Sequence, residues 1–475
     1  MKNYNSYSNF YGVFFDVRKK LLLSFVLIFS LLTFLSCDNF VEVDLPNSQL
    51  TASAVFEEKT TANAAMTHVY AKMRDAGLFT GYSTGMSNLL GNYTDELMFY
   101  GNGQEGTINF YNNVILPSNA NIKSLWNNSY NQIYGANAVL EGVSASTGLL
   151  ETDRSQLKGE ALFTRAFIHF YLTGLYGSIP YVKSTNYELN KSIVKESSEA
   201  VYLHCIEDLK LAVDYLPASY LTSDRTRPNK SAAKALLARI YLYTKQWNEA
   251  ANEASAVLNN TTLYPFESNL SKIFLKGSTS TIWQFASNTS IGNTLEAQTF
   301  IFTSGPPPLT ALSTVLINSF QPGDQRKVAW TTAVSNATST WYYPSKYKNK
   351  GNGTSTEFSI LLRLSEMYLI RAEARAQNGD LTGSKEDLNK IRNTAGLGNT
   401  PAVSQQDILQ AILKERQLEF FTEFGHRFFD LKRSDAIDSM LSGNKPQWAT
   451  YKSILPIPES ELILNTNLKP QNTGY

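Results

Sequence analysis

The segment GYSTG, residues 81–85, has the G-x-S-x-G spacing with which serine hydrolases hold their nucleophile. In those enzymes a buried strand leads into the serine, a helix follows it, and a histidine activates the hydroxyl group. The residues before Ser83 instead have the apolar spacing of a helix, and His169, His204 and His426 all lie inside helical segments. We therefore expect Ser83 to lie in a Gly/Ser loop after a helix and to take no part in covalent catalysis.

Acidic residues that could form the carboxylate pair of a glycosidase occur in KERQLEFFTEFGHRFFDLKR, residues 414–433. Such an enzyme needs two carboxyl groups roughly 5 to 10 Å apart on either side of a cleft. Here each acid has a basic neighbour in the sequence, and phenylalanines surround them all. This pattern is typical of structural ion pairs rather than of catalysis. The residues predicted to be structural are Glu415, Arg416, Glu419, Arg427 and Asp430.

Metal, cofactor and nucleic-acid chemistry have no signature in this sequence. The four histidines show no i, i+4 pair and no H-E-x-x-H motif, and the chain has neither a P-loop nor a Gly-rich dinucleotide motif. The 42 Lys and Arg residues nearly balance the 41 Asp and Glu residues, which leaves a net charge of +1. Nucleic-acid binders usually carry a basic excess. We expect no enzyme activity, no metal or other cofactor, and no nucleic-acid partner.

A basic and then apolar segment near the N-terminus predicts export. The tripeptide RKK precedes an apolar run over residues 21–35. This run is shorter than the about 20 apolar residues of a membrane-spanning helix, and it fits a secretory signal. The following Ser36-Cys37 resembles a bacterial lipobox, in which the cysteine is acylated, although Phe34 stands where Leu is usual. A cleaved signal with a free cysteine is the alternative, and the start codon could lie further into the chain.

These features divide the chain into three predicted parts. A signal peptide covers residues 1–36, a lipidated tether that begins at Cys37 covers 37–50, and one folded domain covers 51–475. Acylation accounts for Cys37 without a disulfide. Cys205 lies in an amphipathic helical segment and is predicted to be a small core residue.

Helical periodicity dominates the folded domain. Over residues 231–260, apolar and small residues recur at helical spacing on both sides of a break, and the length resembles a tetratricopeptide unit, a helix pair of about 34 residues. Such pairs bury their apolar faces only by stacking on neighbours, so we predict a mainly α, curved scaffold. The other predicted elements are a pair over 359–397, a pair formed by 157–177 and 198–217, and single helices over 121–144 and 405–433.

Two long segments differ from the scaffold in composition. Residues 78–118 and 262–357 are rich in Gly, Asn, Ser, Thr and Pro, with aromatic residues among them. They are predicted to be irregular loops with short strands, and loops of this length in folded proteins usually carry function. Because both segments interrupt the helical scaffold, they are expected to be insertions in one domain rather than linkers between two.

Six segments spread along the chain together closely resemble the SusD/RagB family of Bacteroidetes outer-membrane lipoproteins. The first is the cysteine followed by an acidic tether, and the last is the C-terminal LPIPESELILNTNLKPQNTGY. In this last segment KPQNTGY departs from the family's more usual Gln-Asn-Pro-Gly-Tyr, which concerns a local turn. The four segments between them are NYTDELMFYG, GEALFTRAFIHFYLTGLYGSIPYV, RLSEMYLIRAEARAQNG and KERQLEFFTEFGHRFFDLKR.

The resemblance implies a largely helical fold with tetratricopeptide-like pairs and a role in nutrient binding without catalysis. It implies a lipid-anchored protein of the outer membrane that faces the cell exterior and caps a TonB-dependent, SusC-like transporter barrel. The implied ligand is usually an oligosaccharide and in some members a peptide. The nearly neutral charge fits an uncharged ligand slightly better. A surface glycoside hydrolase that uses the acids above is the alternative from another class.

The ligand site is expected on the irregular loops. A sugar ring packs its C–H face on an aromatic plane, and its hydroxyl groups need amide or carboxylate partners. In WYYPSKY, residues 341–347, strand alternation would leave either Trp341 and Tyr343 or Tyr342 for the ligand. Trp283 is predicted to lie in a core strand. The candidate ligand-binding residues are Asp95, Phe99, Tyr100, Asn102, Trp330, Trp341, Tyr342 and Tyr343, with Gln104 beside the first group.

Overall fold

Helices account for 53% of the structure and strands for 7%, which confirms the mainly α fold predicted from the sequence. The computed structural model describes residues 54–103, 106–288, 292–351 and 353–475. All of these residues belong to one compact unit, which ends at Tyr475. The predicted signal peptide, Cys37 and the tether lie outside the described residues, as does Gln104. In the described part of the chain, no helix is long and apolar enough to cross a membrane.

Long helices supply the scaffold, and short ones lie in the segments between them. In chain order the helices are α1 Lys59–Asp75, α2 Met86–Tyr93, α3 Thr107–Tyr111, α4 Ala120–Ala145, α5 Glu151–Tyr176, α6 Tyr187–Asn190, α7 Ser198–Tyr215, α8 Lys230–Tyr243, α9 Trp247–Leu258, α10 Leu295–Phe300, α11 Thr314–Ile317, α12 Gln325–Trp330, α13 Leu364–Gln377, α14 Leu381–Thr394, α15 Gln405–Phe420, α16 His426–Arg433, α17 Ile437–Leu441 and α18 Glu459–Leu464.

Within the described residues, three antiparallel strand pairs accompany the helices. The strands are β1 Leu97–Phe99, β2 Thr281–Phe285, β3 Thr310–Leu312, β4 Thr331–Ser335, β5 Thr340–Pro344 and β6 Ser359–Arg363. β1 pairs with β3, β2 with β6, and β4 with β5. Only the last pair is a hairpin of consecutive strands, so the other two join segments that are far apart in the sequence.

The predicted helix pairs stack on one another. α5 packs on α7, α8 on α9, and α13 on α14, while α7 contacts α8 and α9 contacts α13, so the pairs form a continuous array. Close approach is possible because the facing positions are small: Ala235, Ala250 and Ala254 are fully buried. A buried ion pair between Arg239 and Glu366, with nitrogen and oxygen 2.6 Å apart, links α8 to α13.

The structure corrects three element boundaries. Residues 359–363, predicted to begin a helix, form β6 because their backbone pairs with β2. The predicted loop segments 78–118 and 262–357 contain helices as well as strands. The predicted helix over 405–433 is broken after Phe420.

A left-handed turn causes this break between α15 and α16. Thr422, Phe424 and Gly425 have positive φ angles of 55°, 41° and 75°. A Cβ at Gly425 would lie 2.3 Å from Leu90, so the turn packs closely on α2. The amide groups freed by the turn donate to Glu96 Oε2 at 3.3 Å and to Ser87 Oγ at 3.0 Å. Contacts with distant residues therefore replace the helical hydrogen bonds.

Candidate functional site

The two aromatic segments predicted to bind ligand lie next to each other. Tyr100 follows β1, and Trp341 lies in β5; their ring centroids are 6.5 Å apart, with the ring planes at 90°. β3 lies between the two segments in the fold: it pairs with β1 and contacts β5. The amide of Tyr100 extends this pairing by donating to Leu309 O at 2.7 Å. We call the half-buried residues Phe99, Tyr100, Tyr111, Trp341 and Tyr343 the aromatic surface.

Strand alternation in β5 decides which aromatic rings share one side. Trp341 lies against the backbone of Gly305, where an added Cβ would be 2.0 Å from the Trp341 ring. The ring of Tyr343 is 5.3 Å from that of Phe302, in the same loop. Tyr342 points the other way and packs on a core cluster that includes Leu316 and Trp330. Of the two alternatives left by the sequence, the structure therefore groups Trp341 with Tyr343.

Trp330 does not belong to this exposed group. It is 0% exposed, and its Nε1 donates to the carbonyl oxygen of Leu270 at 3.1 Å. The prediction that Trp330 lies on an exposed platform is wrong, because the residue ends α12 inside the core. Its position nevertheless matters for the site, since it fixes the start of the β4–β5 hairpin.

Lys346 fixes the other end of the same hairpin. Its ammonium group donates to the carbonyl oxygens of Glu419 and Phe421 at 2.8 Å each and to Glu423 Oε1 at 2.5 Å. Burial lowers the pKa of Lys346 to about 8, although the charge of Glu423 opposes this shift. The hairpin that presents Trp341 is thus held at both ends by buried contacts.

Asp95 is also buried rather than at the edge of a platform. It is 3% exposed, and Arg427 donates to its two oxygens at 2.8 and 2.7 Å. The prediction that Asp95 offers its carboxylate to a ligand is wrong, because both oxygens already accept from the guanidinium group. The pair holds the start of β1 against α16 and so positions Tyr100.

The acidic residues of the 414–433 segment are confirmed as partners in buried ion pairs. Arg326 contacts Asp324, Glu415 and Glu419 at 2.8, 2.7 and 3.0 Å. Arg363 contacts Glu419 at 2.5 Å and Glu423 at 2.9 Å. These ion pairs link α12, β6 and α15. The segment therefore belongs to the buried scaffold that supports the aromatic surface.

Two further ion pairs of this segment involve Asp430 of α16. The guanidinium nitrogens of Arg416 and Arg433 lie 2.8 and 2.9 Å from the carboxylate oxygens of Asp430. Several of these partners come from outside the segment, such as Arg326 and Arg363, whereas the sequence pointed to partners within it.

Titration of the buried acids follows from their surroundings. Burial alone would raise the pKa of Glu419, but Arg363 and Arg326 outweigh burial and lower it to about 2. Glu96 accepts from the amide of Thr422 beside this network, but it forms no ion pair within the part of the chain that the structure describes. Burial, reinforced by the charge of Asp95, raises the pKa of Glu96 to about 8. Its Oε1 atom has no hydrogen-bond partner among the described residues.

Ser83 lies in the turn between α1 and α2, as the sequence predicted. Its carbonyl oxygen accepts from Asn88 Nδ2 at 2.7 Å. The three histidines considered as its activators contact other groups. His169 Nδ1 lies 2.8 Å from Arg165 O, His204 Nε2 lies 3.0 Å from Glu196, and His426 stacks on Phe420. The arrangement therefore lacks the geometry of a nucleophile elbow, in which a strand leads into the serine.

Three further residues, not predicted from the sequence, shape the aromatic surface. Tyr111 ends α3, and its ring lies 6.4 Å from that of Phe99. Lys445 Nζ lies 4.0 Å from the centre of the Tyr111 ring and donates to the Tyr111 carbonyl oxygen at 3.0 Å. Gly305 provides the close approach for Trp341. In the sequence, Tyr111 is marked only by its place in NFYNN, and Gly305 only by the Gly-Pro-rich run TSGPPPL.

Comparisons with known proteins identify relatives of this chain. The family profile described as "Starch-binding associating with outer membrane" matches residues 40–242, and the SusD family profile matches residues 325–475. SusD-like protein P2 of Formosa agariphila is 27% identical over 96% of this chain and 100% of its own length.

Solved structures share the fold along most of the chain. A SusD superfamily protein from Bacteroides vulgatus has a TM-score of 0.77 at 20% identity, with 88% of this chain and 99% of the other covered. A laminarin-binding SusD-like protein has a TM-score of 0.72 at 24% identity, with coverages of 88% and 99%. The stacked helix pairs and loop-borne strands are therefore those of a SusD-like protein. The chain belongs to the SusD/RagB family.

Proposed function

We propose that this protein is a surface lipoprotein that binds oligosaccharides and delivers them to a partner TonB-dependent transporter of the outer membrane. The observation that carries the proposal is the edge-to-face contact of Tyr100 and Trp341, which lie on segments far apart in the sequence. Half-buried aromatic rings offer planes for the C–H faces of sugars. The exposed Asn102 and Asn112 beside them offer amide groups for the hydroxyls.

Family membership supports the same ligand class. One matching profile is described as starch-binding, and one protein of the same fold binds laminarin, so α- and β-linked glucans are the first ligands to test. A binding role without catalysis is favoured because the acids of the 414–433 segment neutralise buried arginines. The site is proposed to consist of Tyr100, Trp341 and Tyr343, with Phe99, Tyr111 and Asn102 around them.

Affinity electrophoresis and calorimetry test the binding role. The protein is run in native gels that contain laminarin or soluble starch, and is titrated with laminarihexaose and maltoheptaose. We expect a Kd between micromolar and millimolar, about −8 to −4 kcal/mol. Trp341→Ala and Tyr100→Ala are each expected to weaken binding about tenfold, since each removes one ring plane. Tyr82→Ala, an exposed tyrosine outside the aromatic surface, is the control.

Three results would contradict parts of the proposal. New reducing ends released from the glucans would show catalysis. Binding of a peptide pool with no retention by either glucan would replace the sugar with a peptide. To test delivery, an affinity-tagged form of the protein is purified from detergent-solubilised outer membranes, where a barrel-sized partner should co-purify with it. Recovery of the tagged protein without such a partner would argue against the transporter.

A further inference from the structure

A groove on the helical scaffold lies apart from the aromatic surface. It has a volume of about 560 Å³ and is formed by α4, α6, α18 and the residues that flank α6. Its floor is Trp126 and Tyr130, whose ring centroids are 4.9 Å apart. None of its lining residues belongs to the aromatic surface. A volume in this range is typical of sites for small ligands.

The α4 side of the groove combines rings and amides. Asn127, Asn131 and Tyr134 recur at spacings of four and three residues, so they lie on one face of the helix. Tyr134 is 55% exposed, so its ring is open to solvent on this face. The side-chain amides of Asn127 and Asn131 have no hydrogen-bond partner among the described residues, although the main chain of both belongs to α4. Each amide therefore has donors and an acceptor free for a ligand.

The opposite wall is another exposed ring. Tyr187, the first residue of α6, is 72% exposed. Lys191 lies 5.8 Å from its ring centroid and forms an ion pair with Glu188, so that cation is already neutralised. The groove thus offers aromatic planes together with uncharged amides and the carboxylate of Glu461. This is the combination that recognises an uncharged polyhydroxylated ligand.

We propose that this groove is a second oligosaccharide-binding site, which engages the same polysaccharide chain as the aromatic surface does. The inference rests on the proposed function for its ligand class. Two weak sites on one chain raise the apparent affinity for a long polymer above that for a short oligosaccharide, because binding at the second site becomes intramolecular. The protein should therefore hold polymers more firmly than their short fragments.

The test compares variants of the two sites separately and together. The groove variant is Tyr134→Ala/Tyr187→Ala, and the surface variant is Tyr100→Ala/Trp341→Ala. Both groove residues are exposed, so their truncation should leave folding intact, which thermal unfolding verifies. The conservative variant Tyr134→Phe/Tyr187→Phe keeps both rings. Tyr82→Ala serves as an exposed-tyrosine control. Retention is measured in native gels with laminarin or soluble starch.

We expect the groove variant to be retained about tenfold more weakly, since two ring planes are lost. The phenylalanine variant and Tyr82→Ala should behave as wild type. The surface variant should keep residual retention that disappears when the groove substitutions are added.

Equal retention of the surface variant with and without the groove substitutions overturns the second site alone. Normal retention combined with lost co-purification of the barrel partner also overturns it, since the groove would then be a protein-docking surface. A wild-type protein that neither glucan retains overturns both the proposed function and this inference.

Discussion

Asp95 and Arg427, which are 332 positions apart in the sequence, form a buried pair in which Arg427 Nη2 donates to Asp95 Oδ2 at 2.7 Å. The pair holds the segment before β1 on α16, while Lys346 holds the β4–β5 hairpin on the residues after α15. Both aromatic segments are therefore attached to the same part of the scaffold. Because both segments are attached to the same part of the scaffold, the rings of Tyr100 and Trp341 lie in contact.

Arg427→Ala is expected to lower the free energy of unfolding by roughly 3 to 5 kcal/mol, because it leaves the Asp95 carboxylate buried without its cation. Denaturant unfolding measures this change. Lys59→Ala, which breaks the ion pair of the exposed Lys59 with the half-buried Asp153, is the control and should cost at most about 1 kcal/mol. Unchanged stability of Arg427→Ala together with lost glycan binding would instead give Arg427 a direct role in binding.

Gly305→Ala is expected to weaken glucan retention nearly as much as Trp341→Ala does. An added Cβ would lie 2.0 Å from Cζ3 of Trp341, so the indole must shift from its position beside Tyr100. Gly305 lies on a partly exposed loop, so stability should fall by no more than about 1 to 2 kcal/mol. Native gels and thermal unfolding measure the two effects.

Gly443→Ala is the matched control for this change, since nothing lies within 4 Å of a Cβ built there. It should leave retention and stability unchanged. Wild-type retention by Gly305→Ala would show that the orientation of Trp341 does not determine binding.

Glu96→Gln is expected to change how stability depends on pH. Folded Glu96 keeps its proton up to a pKa of about 8, whereas the unfolded chain loses it near the ordinary value of 4.5. Between these values the unfolded state binds fewer protons, so this residue's stabilising contribution is complete below 4.5 and is lost as the pH rises towards 8.

Glutamine cannot ionise, so the variant should gain stability relative to wild type as the pH rises, on the order of a few kcal/mol by pH 8. Denaturant unfolding at about pH 5 and pH 8 measures the difference. Glu188→Gln, at an exposed position on α6, should show no such trend. Parallel pH profiles for wild type and Glu96→Gln would show that the carboxyl group is ionised in the folded protein.

Cys37 is expected to be acylated in the mature protein, since Ser36-Cys37 ends the apolar run of the signal segment. Mass spectrometry of the mature N-terminus should show diacyl- or triacyl-cysteine, and proteolysis of intact cells should release the protein. Cys37→Ser should shift the protein to a soluble fraction. A mature N-terminus at another residue would contradict the anchor.

The sequence by itself determined the helical scaffold and the family. The signal for a helix pair is local, because the spacing of small and apolar residues along the segment indicates which face is buried. Over residues 231–260 this spacing predicts two helices, and α8 and α9 form there. The family is indicated by the SusD-like segments and their order, both of which are visible in the sequence alone. The structural role of the charges in 414–433 was also visible, because isolated charges among phenylalanines require partners.

The tertiary structure alone decided which aromatic residues form a surface. Trp330 and Trp341 lie in similar sequence surroundings, yet the first is buried and the second half-buried, because only the fold places Leu270 and Leu316 around Trp330. The sequence predicts a ligand contact for Asp95 because nothing near it in the sequence indicates its pairing with Arg427. The break after Phe420 likewise depends on Glu96 and Ser87, which are distant in sequence and satisfy the freed amide groups. Contacts between residues hundreds of positions apart leave no periodic signal in a single sequence, so local reasoning cannot recover them.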